Sequence, residues 1–135
     1  MLKKYNLFLE TLNGKIVVDE VNSRPNSNYM RLVSMIDDTE IGSIEYSWLH
    51  NHIGHLLHKE GELYIAYTKA HIRGHRIGIK LVKRAILEAR KLGLSFVSLM
   101  LPNDGSDTSG LEKMYFSIGF KSLIDGKKHY MYYLL

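Results

Sequence analysis

The chain has 135 residues, 45% of them hydrophobic and 24% charged, with 11 Gly and only 2 Pro. That composition fits one domain of ordinary size and excludes a disordered tail, a collagenous repeat or a low-complexity linker. There is no cysteine, so disulfide scaffolds, thiolate nucleophiles and Cys-based zinc fingers are excluded as well. Eighteen Lys and Arg against 14 Asp and Glu leave a net charge of +4. That is a mild bias toward an anionic ligand or partner, such as a phosphorylated cofactor, nucleic acid or an acidic protein face, though a small Lys excess also keeps a domain in solution. No apolar run approaches the roughly 20 residues that span a bilayer. The start, Met1-Leu2-Lys3-Lys4-Tyr5-Asn6, lacks the apolar core and cleavage site of a signal peptide. A cytoplasmic protein with no membrane partner is expected.

Strands come first along the chain. Residues 7–12 and 15–21 are β-prone and flank Asn13-Gly14, a strong hairpin signal because a type I′ turn needs φ > 0 at both central positions. Residues 22–28 are loop by composition. A second pair of strands is predicted over 29–36 and 40–48, joined by Asp37-Asp38-Thr39. After a stretch containing His50, His52, His55 and His58, residues 62–68 form another strand candidate. From 77 to 92 the period changes: Leu81, Val82, Ala85, Ile86, Ala89 and Leu92 recur at helical spacing, with Lys and Arg between them. Gly93 ends that helix, as glycine does beyond a last turn. A strongly apolar strand over 95–101, a loop over 103–109 and a short helix over 111–118 closed by Gly119 follow. The chain finishes as a hairpin, 120–124 and 127–135 around Asp125-Gly126. No repeat, linker or boundary interrupts it, so a single α+β domain over 1–135 is expected.

The junction Arg73-Gly74-His75-Arg76-Ile77-Gly78 lies between a predicted strand and a predicted helix. A loop entering a helix leaves backbone N–H groups unpaired, and the helix dipole adds positive potential. Gly74 and Gly78 let the backbone approach an anion, and Arg73 and Arg76 add charge. No Gly-Lys-Ser/Thr follows, so this is not a Walker loop, and the three glycines of the dinucleotide fingerprint are missing.

In order and spacing this region resembles the GCN5-related N-acetyltransferase superfamily, whose phosphate motif reads Arg/Gln-x-x-Gly-x-Gly/Ala. Arg73, Arg76 and Gly78 fall on its three places, with Arg76 standing for the first glycine. Downstream, Leu111-Glu112-Lys113-Met114-Tyr115-Phe116-Ser117-Ile118-Gly119-Phe120 resembles the family's Ala-x-x-x-Tyr-x-x-x-Gly-Phe segment. Asn103 sits where these enzymes often carry a cofactor-contacting asparagine. The resemblance covers residues 62–135. It implies a mixed, mostly antiparallel twisted sheet, a central phosphate-binding helix and a second short helix. The family usually places two helices between its first and second strands. Here they are expected to be reduced or replaced by the hairpin, leaving the acceptor side open.

The resemblance also implies the chemistry: acetyl-coenzyme A as co-substrate and direct transfer of its acetyl group to a primary amine. Such transfer requires deprotonating the amine, polarising the thioester and holding or protonating the departing thiolate. Tyr115 is the implied proton donor to the sulfur. Glu62, at the matching distance before the phosphate motif, is the implied base, with Glu60 and Glu45 as rivals. Ala66, Tyr67 and Thr68 would offer backbone groups to the pantetheine arm as an added strand does. Arg73, Gly74, His75, Arg76, Ile77 and Gly78 would hold the pyrophosphate.

The four clustered histidines invite a zinc reading, but no Cys is available and no helix–metal motif is matched, so no metal is expected. A Tyr-rich last strand, Tyr130-Met131-Tyr132-Tyr133, together with an open acceptor side, suggests a homodimer around the C-terminal strands. An alternative from another class is a non-catalytic module on the same fold that binds coenzyme A or nucleic acid. Its patch would be the basic helix face Lys80, Lys83, Arg84, Arg90 and Lys91, although these residues have no interleaved aromatics for base stacking. The acceptor stays open: protein N-terminus, lysine, polyamine, antibiotic or charged RNA.

Overall fold

A computed structural model of the protein describes residues 15–71 and 76–135. Seven strands form one sheet: β1 (Lys15–Val18), β2 (Tyr29–Ile36), β3 (Thr39–Trp48), β4 (Glu62–Ala70), β5 (Phe96–Met100), β6 (Lys121–Asp125) and β7 (Lys128–Leu134). Their spatial order is β1-β2-β3-β4-β5-β7-β6. Every neighbouring pair is antiparallel except β4 and β5. A parallel pair needs a crossover, and helix α2 (Ile77–Lys91) provides it. The other helices are α1 (Gly54–Leu57), a single turn, and α3 (Ser109–Ile118).

The alternation read in the sequence becomes one core. Leu32, Ile44, Tyr46, Leu63, Ile65, Val97, Leu99 and Met131 point to one face of the sheet. There they meet the apolar stripe of α2 (Ile77, Leu81, Val82, Ala85, Ile86 and Ala89) together with Tyr115 and Phe120. Close approach of α2 depends on Gly42 in β3. A Cβ there would lie 2.6 Å from Ile77 Cγ2 and 2.9 Å from the Lys69 carbonyl oxygen, which only glycine avoids.

The expected Asn13-Gly14 turn and its first strand lie outside the described residues. The second strand does form, but it ends at Val18 rather than Val21. The Asp19 carboxylate accepts the N–H groups of Val21 (3.1 Å) and Asn22 (3.3 Å) and binds Arg31, which turns the chain. Residues 19–28 reach β2 through turns alone, so no helix intervenes between β1 and β2. The Tyr-rich β7 is not an edge. It lies between β5 and β6, and Tyr133 packs inward on Phe120, ring centroids 5.5 Å apart.

Candidate active site

Strand β4 changes character half-way. From Glu62 to Ile65 it pairs with β3 on one side and with β5 on the other, ending at Ile65↔Leu99. Ala66 is then bulged out: Tyr46 faces Ile65 and Glu45 faces Tyr67, leaving Ala66 without a partner. Beyond the bulge, residues 67–70 pair only with β3 among the described residues. Their outward N–H and C=O groups form an open edge that an extended ligand can join as a strand. In a sheet with parallel strands, ligands sit off the carboxyl ends of those strands. The open edge, the loop carrying Asn103 and the start of α2 all meet at that end.

Arg73, Gly74 and His75 lie outside the described residues. Arg76 is the residue before α2 and adopts φ 57°, ψ 27°, with no side chain capping the helix and no acid in its first turn. Among the described residues no side chain caps the N–H groups of that turn, and such a turn suits an anion. Left-handed backbone at a non-glycine residue costs roughly 1–2 kcal/mol, and such strain concentrates at functional sites. Among the described residues a Cβ at Gly78 would meet Met114 Sδ alone, at an ordinary contact distance of 3.4 Å.

Tyr115 descends from α3 to the same place. It is 5% exposed, and its ring meets Phe120 edge-on at 5.3 Å. Burial raises its pKa, opposed by the nearby Thr68 hydroxyl. The two hydroxyls nevertheless fall short of good hydrogen-bond geometry, and Thr68 Oγ1 is a buried polar atom without a partner. A buried orphan beside a buried phenol marks a position where a ligand atom completes the bonding. Asn103 lies exposed in the loop after β5, on the rim of a cleft shared with Ser106, Thr108 and His129.

Glu62 is not available in the way the sequence suggests. It is 3% exposed. Its Oε1 accepts the backbone N–H groups of His52 (2.9 Å), Ile53 (3.1 Å) and Gly54 (3.1 Å). Its Oε2 accepts the hydroxyl of the fully buried Ser98 and a second bond from Ile53 N–H at 3.2 Å. A carboxylate with its lone pairs so engaged anchors the 52–54 turn to β4 and β5; it has no free site for an amine proton. Glu60 is exposed in the loop before β4. Glu45, half-buried, accepts the Tyr29 hydroxyl.

The turn that Glu62 holds places His52 face to face with Tyr64, centroids 3.8 Å apart and planes within 11°. Burial lowers the His52 pKa; the Glu62 charge opposes this, and His50 adds to it slightly. His55 bonds Asn51 instead, and among the described residues no three His, Asp or Glu side chains gather as a metal site. Two features that sequence reasoning missed thus shape the site: Gly42, legible as a lone glycine in a strand, and the Ala66 bulge, which no local pattern announces.

No protein-family model and no curated protein sequence matches the chain. Solved structures do. The PaiA N-acetyltransferase of Thermoplasma acidophilum, solved with coenzyme A, matches over 85% of this chain and 66% of its own, with TM-score 0.66 and 22% identity. This chain therefore spans just under two thirds of that protein. An acetyltransferase of Bacillus subtilis, also with coenzyme A, matches over 90% of this chain and 99% of its own, with TM-score 0.66 and 13% identity. The IAA acetyltransferase of Bacillus cereus matches over the same shares, with TM-score 0.65 and 14% identity. The chain has the GCN5-related N-acetyltransferase fold. Arg76, which the sequence resemblance sets at the motif's first glycine, adopts the left-handed conformation that glycine favours. The turn over 19–28 stands where two helices were expected to be reduced or replaced.

Proposed function

We propose that the protein is an acetyl-coenzyme A-dependent N-acetyltransferase that passes the acetyl group directly to a primary amine. The observation that carries this reading is the open edge of β4 beyond the Ala66 bulge, running toward an uncapped helix start and flanked by Tyr115 and the orphaned Thr68 hydroxyl. Two neighbours of the same fold solved with coenzyme A support it.

Ala66, Tyr67 and Thr68 would hold the pantetheine arm through backbone hydrogen bonds, Asn103 would contact it from the loop after β5, and Arg73, Gly74, His75, Arg76, Ile77 and Gly78 would hold the pyrophosphate. The coenzyme supplies a thioester whose carbonyl carbon is open to attack. Tyr115, kept protonated by burial, hands its proton to the departing sulfur as the carbon–sulfur bond breaks and the carbon–nitrogen bond forms. The proton surrendered by the amine passes to water, water returns a proton to the Tyr115 phenolate, and Glu62 serves as a positioning residue. Thiol release from acetyl-coenzyme A in the presence of amines tests the reading. Tyr115→Phe lowers kcat by about 10²–10⁴-fold with cofactor affinity nearly intact; unaltered kcat where chemistry limits turnover overturns the role of Tyr115.

The reading extends to a homodimer through the C-terminal strands. Strand β6 has its outer side unpaired among the described residues and exposes Ile124. Light scattering at tens of micromolar that returns a monomer overturns this part.

A further inference from the structure

The bulge at Ala66 does more than open an edge: it turns Thr68 round. Leu63 and Ile65 point into the core, opposite Trp48 and Tyr46. Strict alternation would send Tyr67 inward next and Thr68 to the other face of the sheet. The observed register instead pairs Tyr67 with Glu45 and Thr68 with Ile44, a fully buried core residue. Tyr67 is accordingly 46% exposed, and the Thr68 hydroxyl is carried to the core face, beside Tyr115 of α3. Bulges re-aim side chains in this way. The product is unusual for an apolar interior. Among the described residues Thr68 Oγ1 bonds nothing, although it is buried next to a buried phenol. A valine would fill the same space without a desolvated oxygen.

We infer that Thr68 is a positioning residue for the proton donor: its hydroxyl donates a hydrogen bond to the Tyr115 oxygen as that oxygen gives its proton to the departing sulfur. This rests on the acetyltransferase reading, in which Tyr115 is the donor. A phenolate in a dry interior is costly unless a donor bonds it. Phe120, edge-on at 5.3 Å, offers none. Burial pushes the Tyr115 pKa up and the Thr68 hydroxyl pulls it down, with no charged side chain contributing among the described residues. The Tyr115 proton goes to sulfur as the carbon–sulfur bond breaks. Thr68 keeps its own proton and shares it only as a hydrogen bond, until water reprotonates the phenolate. Such bonds tighten when the reaction draws on them, so the resting protein holds the two hydroxyls close but unbonded. Once the sulfur takes up the Tyr115 O–H, the two bonds form a chain in which each strengthens the other.

Thiol release from acetyl-coenzyme A tests this, with butylamine, spermidine or trialanine as acceptor, whichever is fastest. Thr68→Val lowers kcat about tenfold and leaves KM unchanged, since the backbone contacts of residue 68 are untouched. In a Tyr115→Phe background the same substitution costs nothing, because Thr68 acts through the phenol; a merely structural loss would be equal in both backgrounds. Thr68→Ser, which keeps the hydroxyl, restores most of the rate. A second readout needs no turnover. In protein carrying meta-fluorotyrosine, whose phenol ionises at lower pH than tyrosine, the fluorine signal missing from Tyr115→Phe reports Tyr115. It titrates at higher pH in Thr68→Val than in the native protein. Equal rate losses in the two backgrounds, or an unmoved titration, overturns the inference. If coenzyme A gives no thermal shift and none of these amines releases thiol, the acetyltransferase reading fails and the inference fails with it. If thiol is released and Thr68→Val is as fast as the native protein, only the inference fails.

Discussion

The two halves of β4 are built from the same strand and do opposite jobs. Up to Ile65 every neighbour is present: β3 and β5 flank the backbone, Leu63 and Ile65 fill the core, and even the charge on Glu62 is fully bonded. From Ala66 onward, among the described residues, one edge is unpaired, the side chains are mostly exposed and Thr68 Oγ1 has no partner. A single bulged residue separates the closed half from the open one. Completeness of bonding, more than residue type, distinguishes scaffold from site in this sheet. The Glu at the closed end is a support, whereas the plain Ala66-Tyr67-Thr68 run is the binding edge.

The closed half is the place to break this contrast. Glu62→Ala removes the acceptor of three backbone N–H groups and the Ser98 hydroxyl in a dry interior. A loss of about 3 kcal/mol in urea unfolding is expected. A loss under ~1 kcal/mol would mean the anchor role is wrong.

At the open end the signs reverse. Arg76→Gly relieves left-handed strain, offset in part by the greater freedom of an unfolded glycine, and should raise stability by roughly 1 kcal/mol. Destabilisation by Arg76→Gly would show that the side chain, not the backbone, matters there. Thr68→Val replaces a buried, unpartnered hydroxyl with a methyl group and should leave stability equal or up to about 1 kcal/mol higher, read from the same unfolding curve. A clear loss in Thr68→Val would reveal a bond to Tyr115 that the geometry lacks.

The smallest effect concerns His52. Its folded pKa lies below the ordinary 6.5 because burial against Tyr64 disfavours the charged ring. Folding therefore favours the neutral form. The stabilisation is present above about pH 6.5 and is lost as pH falls through the lowered folded value. The melting-temperature gap between the native protein and His52→Gln should narrow from about pH 8 to about pH 5; a gap that widens contradicts the sign.

Much of this was legible from the residues, and the remainder has physical reasons for being hidden. Period-2 runs over 29–36 and 40–48 and the helical stripe from Leu81 to Leu92 are local patterns that the structure repeats within a residue or so, except that Leu92 follows the last turn and is exposed. The Arg76-Ile77-Gly78 spacing marked the helix start, while the left-handed backbone of Arg76 is known only from the structure. The bulge at Ala66 was invisible because it is fixed by the register between β3 and β4, segments about twenty residues apart. Glu62 was visible as a carboxylate at a strand start. Its partners are backbone amides at residues 52–54, and main-chain groups carry no sequence signal. Helix α1 escaped for a similar reason: it is one turn, without a capping side chain.

Calorimetric titration of coenzyme A into the native protein and into Gly78→Val tests the central claim most directly. Among the described residues a Cβ at Gly78 meets only Met114 Sδ, at ordinary contact distance, so the variant should fold with little change while its side chain fills the cradle at the start of α2. The account predicts binding by the native protein and loss of that binding in Gly78→Val at nearly equal melting temperature. No heat at millimolar coenzyme A, or equal affinity in the two proteins, would contradict it.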